Sequence, residues 1–287
     1  MKVTRAVVPF LPLCQRLLPS RLAGLSMNLL KATALDLAIL AGHLLLYPSG
    51  IIQERRGPGP ALPPPDTAQL PTEAKPSVVL LHGFIDNRSV FVLLRRSLAQ
   101  HGRQQVESLN YSPLTCDIRA AAELLARHIE EICERTGSNQ VDIVGHSLGG
   151  LIARYYVQRL GGDIRVRTLV TLGTPHSGTR VAPLMNAHPI VRQMRPGSDV
   201  LEELTRPAPG CRTQFVSFWS DLDHLMDPLE TACIDHPDLL AHNVRVSGVG
   251  HLALPVHPAV ATGIRQALDT APTGTAEAAR TGGLTVA

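Results

Sequence analysis

The sequence predicts an α/β fold: a mostly parallel central sheet with helices on both faces. Three observations carry this. Short apolar runs alternate with segments of helical spacing from Pro76 to about Asp269. The first run, "SVVLLHG", is apolar on successive residues, as a strand buried on both faces must be. Strand, helix and strand following one another in sequence imply a parallel sheet covered on both sides.

The elements follow in order. "SVVLLHG" is a strand, and "VFVLLRRSLAQHG" a helix stopped by glycine. "QVESLNY" is a strand, and residues 117–136 form a long amphipathic helix ending at Gly137. "QVDIV" is a strand, "SLGGLIARYYVQRLGG" a helix and "RVRTLVTLG" a strand. After a less regular stretch, "TQFVSFWS" and "NVRVSGVG" are strands, and a last helix runs over about 258–268.

Composition divides the chain into zones. Residues 1–52 are apolar with a single acid, Asp36. Residues 53–75 are rich in proline and read as a stiff, extended linker. Residues 76–270 are the globular domain, and 271–287 are small, polar and expected to be disordered. A net charge of +3 with 3% aromatics argues against a nucleic-acid partner, which needs a basic face and stacking rings. The five cysteines show no metal-ligand spacing, although Cys211 and Cys233 could pair if the domain is exported.

The most informative stretch is "VDIVGHSLGG", residues 141–150. In G-x-S-x-G, the serine sits on a sharp strand-to-helix turn that lifts its hydroxyl above the sheet. Gly145, Ser147 and Gly149 fit, with a strand before and a helix after. A serine hydroxyl needs a base, and the base needs an orienting acid. Of twelve histidines, His251 in "VSGVGHLAL" leaves the last core strand at the carboxyl edge, where open α/β sheets bind ligands. His146 is expected to point away from the reacting face, His82 to brace its loop, and His176 to shape the pocket wall. The acid should come from "FVSFWSDLDHLMDP", with Asp223 the first candidate, Asp227 the reserve and Asp221 a turn cap. An oxyanion needs two preorganised donors. The N–H of Leu148 at a helix start and that of Phe84, after the flexible Gly83, are the candidates.

Together "VVLLHGF", "VDIVGHSLGG", "LVTLGTPHSG", "SDLDHLM" and "GVGHLALP" resemble bacterial triacylglycerol lipases and carboxylesterases of the α/β-hydrolase fold. The likeness is strongest to the small, nearly lidless lipases of bacilli, while "GTPHSG" looks more like the pseudomonad type. The resemblance covers about 76–269 and implies Ser147, Asp223 and His251 as a triad, with Phe84 and Leu148 as the oxyanion hole. The chain departs from the small lipases at its N-terminus, and no calcium site of the pseudomonad kind is located.

A small helical insert is expected after the strand ending near Gly173. Its apolar residues, Leu184 and Met185 first, with Ile190, Val191 and Met194, either line an acyl groove or pack onto the sheet. Residues 32–52 approach the length of a bilayer span, but Asp36 and His43 interrupt them seven residues apart, on one helical face. Three arrangements are open: a signal anchor with the catalytic domain outside the cytoplasm, an interfacial helix, or an extra helix packed on the core.

The sequence therefore points to a serine carboxylic-ester hydrolase acting on lipid or other acyl esters through an acyl-enzyme. It implies no metal or organic cofactor, no nucleic-acid partner, and a membrane association through the N-terminal segment. A thioesterase or acyltransferase would use the same triad. An inactive hydrolase-fold interaction module would not need it.

Overall fold

The structure is a computed structural model that describes residues 27–51, 75–103, 105–112, 117–181, 188–270 and 285–286. Its centre is a parallel sheet built from β1 (Ser77–Leu81), β2 (Val106–Leu109), β3 (Val141–His146), β4 (Val166–Leu172), β5 (Gln214–Ser220), β6 (Leu240–Val246) and β7 (Thr285–Val286), in the order β2-β1-β3-β4-β5-β6-β7. All pairings are parallel. The chain passes from β1 outward to β2 and then returns to the other side for β3. Between β1 and β3 it therefore leaves the switch point at which α/β sheets open a crevice.

The period of two along each strand feeds two cores. Val79, Leu81, Ile143 and Leu169 face one side, with α3 (Ile118–Thr136) and α4 (Leu148–Arg159). Val78, Leu80, Val144 and Val170 face the other, with α2 (Val92–Gln100) and α7 (Pro258–Asp269). The long helix α3 has the limits expected of it. Asp117 accepts from Ala120 N at its start, and Gly137, at φ 70°, closes its end with an N–H to Cys133 O. Strand β6 begins three residues before the expected Asn243, because Leu240, Ala241 and His242 pair with Gln214, Phe215 and Val216. Those residues are exposed or half-buried and show no apolar run.

The insert after β4 contains α5 (Pro189–Gln193) and α6 (Asp199–Thr205). Within α6, Val200, Leu201 and Leu204 are buried in the α3–α4 core. Of the C-terminal tail expected to be disordered, Thr285–Val286 extends the sheet beside Arg245–Val246, and the remainder lies outside the described residues. All of the proline-rich linker 53–75 except Lys75 also lies outside them. Cys211 and Cys233 are free thiols, so the pairing considered for them does not form.

The apolar N-terminal zone contains a 25-residue helix, α1 (Met27–Ile51). Its stretch Leu29–Pro48 is long and apolar enough to cross a membrane. Nevertheless it packs against the α/β core along one face. Ala32 and His43 are buried, Asp36 accepts a hydrogen bond from Ala253 N, and Tyr47 O accepts one from Asn87 Nδ2. Leu37, Leu44 and Leu45 on the outer side are exposed. Of the arrangements open from the sequence, these contacts are those of an extra helix packed on the core.

Candidate active site

Ser147 stands between β3 and α4 at φ 52°, ψ −120°. Among the described residues it is the one non-glycine with positive φ. Such a conformation costs about 1–3 kcal/mol and persists only where the surroundings impose it. Here they do. Ser147 N donates to Leu172 O at 2.9 Å, and its carbonyl accepts from Thr174 Oγ1 at 3.0 Å. The flanking glycines are required by space: a Cβ on Gly149 would lie 2.4 Å from Leu81 O, and one on Gly145 2.7 Å from Gly150 Cα. The G-x-S-x-G pattern includes neither Gly150 nor Thr174. A Cβ on Gly150 would fall 2.0 Å from Thr174 Oγ1. The second glycine of "SLGG" is its only trace in the sequence.

His251 and Asp223 come from the loops after β6 and β5. His251 Nδ1–H donates to Asp223 Oδ2 at 2.7 Å, and both residues are buried. The other carboxylate oxygen accepts Leu225 N at 3.0 Å. Gly173 leaves room for the pair, since a Cβ there would lie 2.8 Å from Asp223 Oδ2 and 3.0 Å from His251 Nδ1. Burial alone would lower the His251 pKa. Asp223 beside it, with Asp86 and Asp36 contributing, raises it above the ordinary histidine value. This bond leaves Nε2 as the nitrogen able to accept a proton.

The neighbouring aspartates do other work. Asp227 is exposed, and its backbone bonds Arg180 and Thr179. Asp221 accepts Gly248 N and pairs with Arg245, tying the turn after β6. His82 braces its loop as expected: Nδ1–H donates to Gly83 O, and the ring stacks on Tyr111 at 4.4 Å. His176 is buried against Thr171 Oγ1, and burial holds its pKa well below the usual value. It does not share the His251–Asp223 bond.

His146 departs from expectation. Instead of pointing away, it is buried in the wall of the site, its ring 4.8 Å from that of His251, with Nε2–H donating to His251 O at 3.2 Å. Its Nδ1 lies 3.4 Å from Asp86 Oδ2, and His43 Nδ1 from α1 lies 3.2 Å from Asp86 Oδ1. Burial would raise the Asp86 carboxyl, but His146 and His43 hold it well below the usual carboxylate range. Sequence reasoning missed Asp86, because nothing in "HGFIDN" announces a histidine 43 residues earlier.

Ser147 and His251 open on one cavity of about 250 Å³. Phe84, Val191, Met194 and Leu225 contribute to its apolar lining. Val191 and Met194 thus serve both roles weighed for the insert, while Ile190 is fully buried in the core. Leu184 and Met185 lie outside the described residues. The Leu148 side chain is fully buried, so its N–H at the start of α4 is what it can offer the cavity. Gly83 brings the Phe84 loop against the serine: a Cβ on it would lie 3.4 Å from Ser147 Cβ. Among the described residues, no group of three His, Cys, Asp or Glu could hold a metal ion.

This chain has the α/β-hydrolase fold, and residues 76–197 match the family defined by that fold. More particularly, it is similar to bacterial triacylglycerol lipases. It is 30% identical over 113 residues to one from Pseudarthrobacter phenanthrenivorans, covering 37% of this chain and 34% of that protein. It is also 30% identical over 113 residues to one from Burkholderia plantarii, covering 37% and 31%. The match spans about a third of the length of these curated relatives. In structure it resembles the mature form of a Bacillus licheniformis lipase, with a TM-score of 0.57 at 17% identity over 71% of this chain and 96% of that one.

Proposed function

We propose that the chain is a serine carboxylic-ester hydrolase acting on lipid or other acyl esters. The observation that carries this reading is the buried His251–Asp223 hydrogen bond opening on the same apolar cavity as a strained, glycine-flanked serine. Ser147 Oγ attacks the ester carbonyl while His251 Nε2 takes its proton. Asp223 holds the tautomer and stabilises the imidazolium. The N–H groups of Leu148 and Phe84 receive the oxyanion, each worth about 2.7–4 kcal/mol in comparable sites. The imidazolium then protonates the leaving alcohol, and water repeats the sequence on the acyl-enzyme. No step calls for a metal or organic cofactor. The apolar wall of Val191, Met194, Leu225 and Leu252 suits an acyl chain. Leu184 and Met185, between Val181 in that wall and His188, are further candidates for it.

The N-terminal helix is read as a membrane contact. Its leucine face is exposed, and its polar face is engaged with the core. A crossing helix would have to withdraw Asp36 and His43 from their partners, so a helix lying on the bilayer, with the cavity near the lipid, is preferred. A fluorophosphonate probe should label the wild-type chain and not Ser147→Ala, which should also lose turnover across p-nitrophenyl esters from acetate to palmitate. Labelling retained at another serine would refute the assignment. Efficient turnover of thioesters with none of oxygen esters would move the reading to a thioesterase.

A further inference from the structure

We propose that Asp36, supplied by the N-terminal helix, is a positioning residue for His251: it fixes the backbone of the 250–253 loop and sets a further carboxylate near the imidazole. Asp36 Oδ1 accepts Ala253 N at 3.1 Å. Its other oxygen packs on Gly250, where an added Cβ would lie only 2.2 Å away. One carboxylate therefore contacts the loop on both sides of His251, from a position 217 residues earlier than Ala253. Two further contacts fall on the same helical face at i+7 and i+11. His43 faces Asp86, and Tyr47 O accepts from Asn87. Asp86 in turn faces His146, whose Nε2 donates to the carbonyl of His251 itself. The helix thus reaches His251 by two routes, while its leucines face outward.

A helix that served only as an anchor would have no use for a carboxylate at this place. Burial raises the Asp36 pKa, although the positive charge available on His251 opposes the rise. The charged and titratable groups facing His251 are Asp223 after β5, Asp86 after β1, His146 at the end of β3, and Asp36 on α1. Asp223 bonds the ring directly. Asp36 acts through the loop and through its charge, favouring the imidazolium that forms during ester attack.

The kinetic part of the test rests on the hydrolase reading, and the spectroscopic part does not. Asp36→Asn keeps an oxygen able to accept Ala253 N and removes the charge, whereas Asp36→Ala removes both. In the full chain, the His251 ring is followed by histidine NMR, assigned with His251→Gln, and kcat/KM for a soluble short-chain ester is measured against pH. In both variants His251 should titrate at lower pH than in wild type, and the acid limb of kcat/KM should move the same way. Asp36→Ala should in addition lose kcat by up to about 100-fold, as misplaced catalytic groups do, with most of it retained in Asp36→Asn. A folded Asp36→Asn protein whose His251 titration is unmoved would overturn the proposal, because a purely structural role lowers Tm without moving that titration. If the wild-type chain neither hydrolyses esters nor takes a fluorophosphonate label, the hydrolase reading fails, and the NMR titration still decides the role of Asp36.

Discussion

Asp223 and Asp227 are four residues apart in one loop, yet only one of them meets a histidine. Asp223 is fully buried on His251 Nδ1, and Asp227 is exposed. Asp223→Asn should therefore lower kcat by about 10³–10⁴, as loss of the orienting acid does in comparable triads. Asp227→Asn should change it little. The surviving activity of Asp223→Asn should also have an altered pH profile. Asp223 raises the His251 pKa, and in the proposed reaction His251 must be neutral to take the serine proton. Without that carboxylate the imidazole stays neutral to lower pH, so the acid limb of kcat/KM should move down. An unmoved limb, or a larger loss in Asp227→Asn, would reassign the acid.

At the scale of elements, the sheet and its last helix are joined by a buried ion cluster. Asp142 on β3, fully buried, pairs with Arg103 at 2.7 Å and with Arg167 on β4 at 2.7 Å. Both arginines also donate to Leu268 O near the end of α7. Such a cluster is weak evidence of net stabilisation, but breaking it leaves charge stranded in the interior. Asp142→Ala should cost about 3–5 kcal/mol of stability, measured as a fall in urea midpoint at constant m. The folded fraction should keep any turnover of the proposed ester substrates, since none of these groups lines the cavity. A loss below about 1 kcal/mol would mean that water or relaxation accommodates the two arginines.

For the whole molecule, the question is whether the α/β domain stands without the helix Met27–Ile51. The contacts of Asp36, His43 and Tyr47 argue that it is impaired without them. A chain beginning at residue 70 should keep the helix and sheet content of the α/β domain. It should unfold at lower temperature and lose about tenfold or more in kcat/KM on a soluble ester, because the His251 loop and Asp86 lose their partners. The full chain should bind lipid vesicles in high salt, as apolar burial of about 25 cal/mol per Å² is not screened by ions, and the truncated one should not. A truncated protein with full activity and unchanged Tm would reduce the helix to an anchor.

The parallel sheet, the long helix ending at Gly137 and the strained turn at Ser147 were legible in the sequence because each is fixed by local rules. Those rules are apolar runs for buried strands, 3.6-residue spacing for helices, and small residues where the backbone passes close to itself. That His251 and Asp223 would meet was legible for a related reason: in a parallel sheet, the loops at the carboxyl ends of successive strands gather at one edge. Tertiary structure alone decided the rest. Asp36 and His43 read as interruptions in an apolar helix, and only the fold brings them to Gly250, Ala253 and Asp86. His146 faces His251, and Asp142 collects two arginines, for the same reason. Pairings between residues far apart in sequence leave no period or spacing to read, since they are set by how the layers pack and by the need to pair polar groups that packing takes from water.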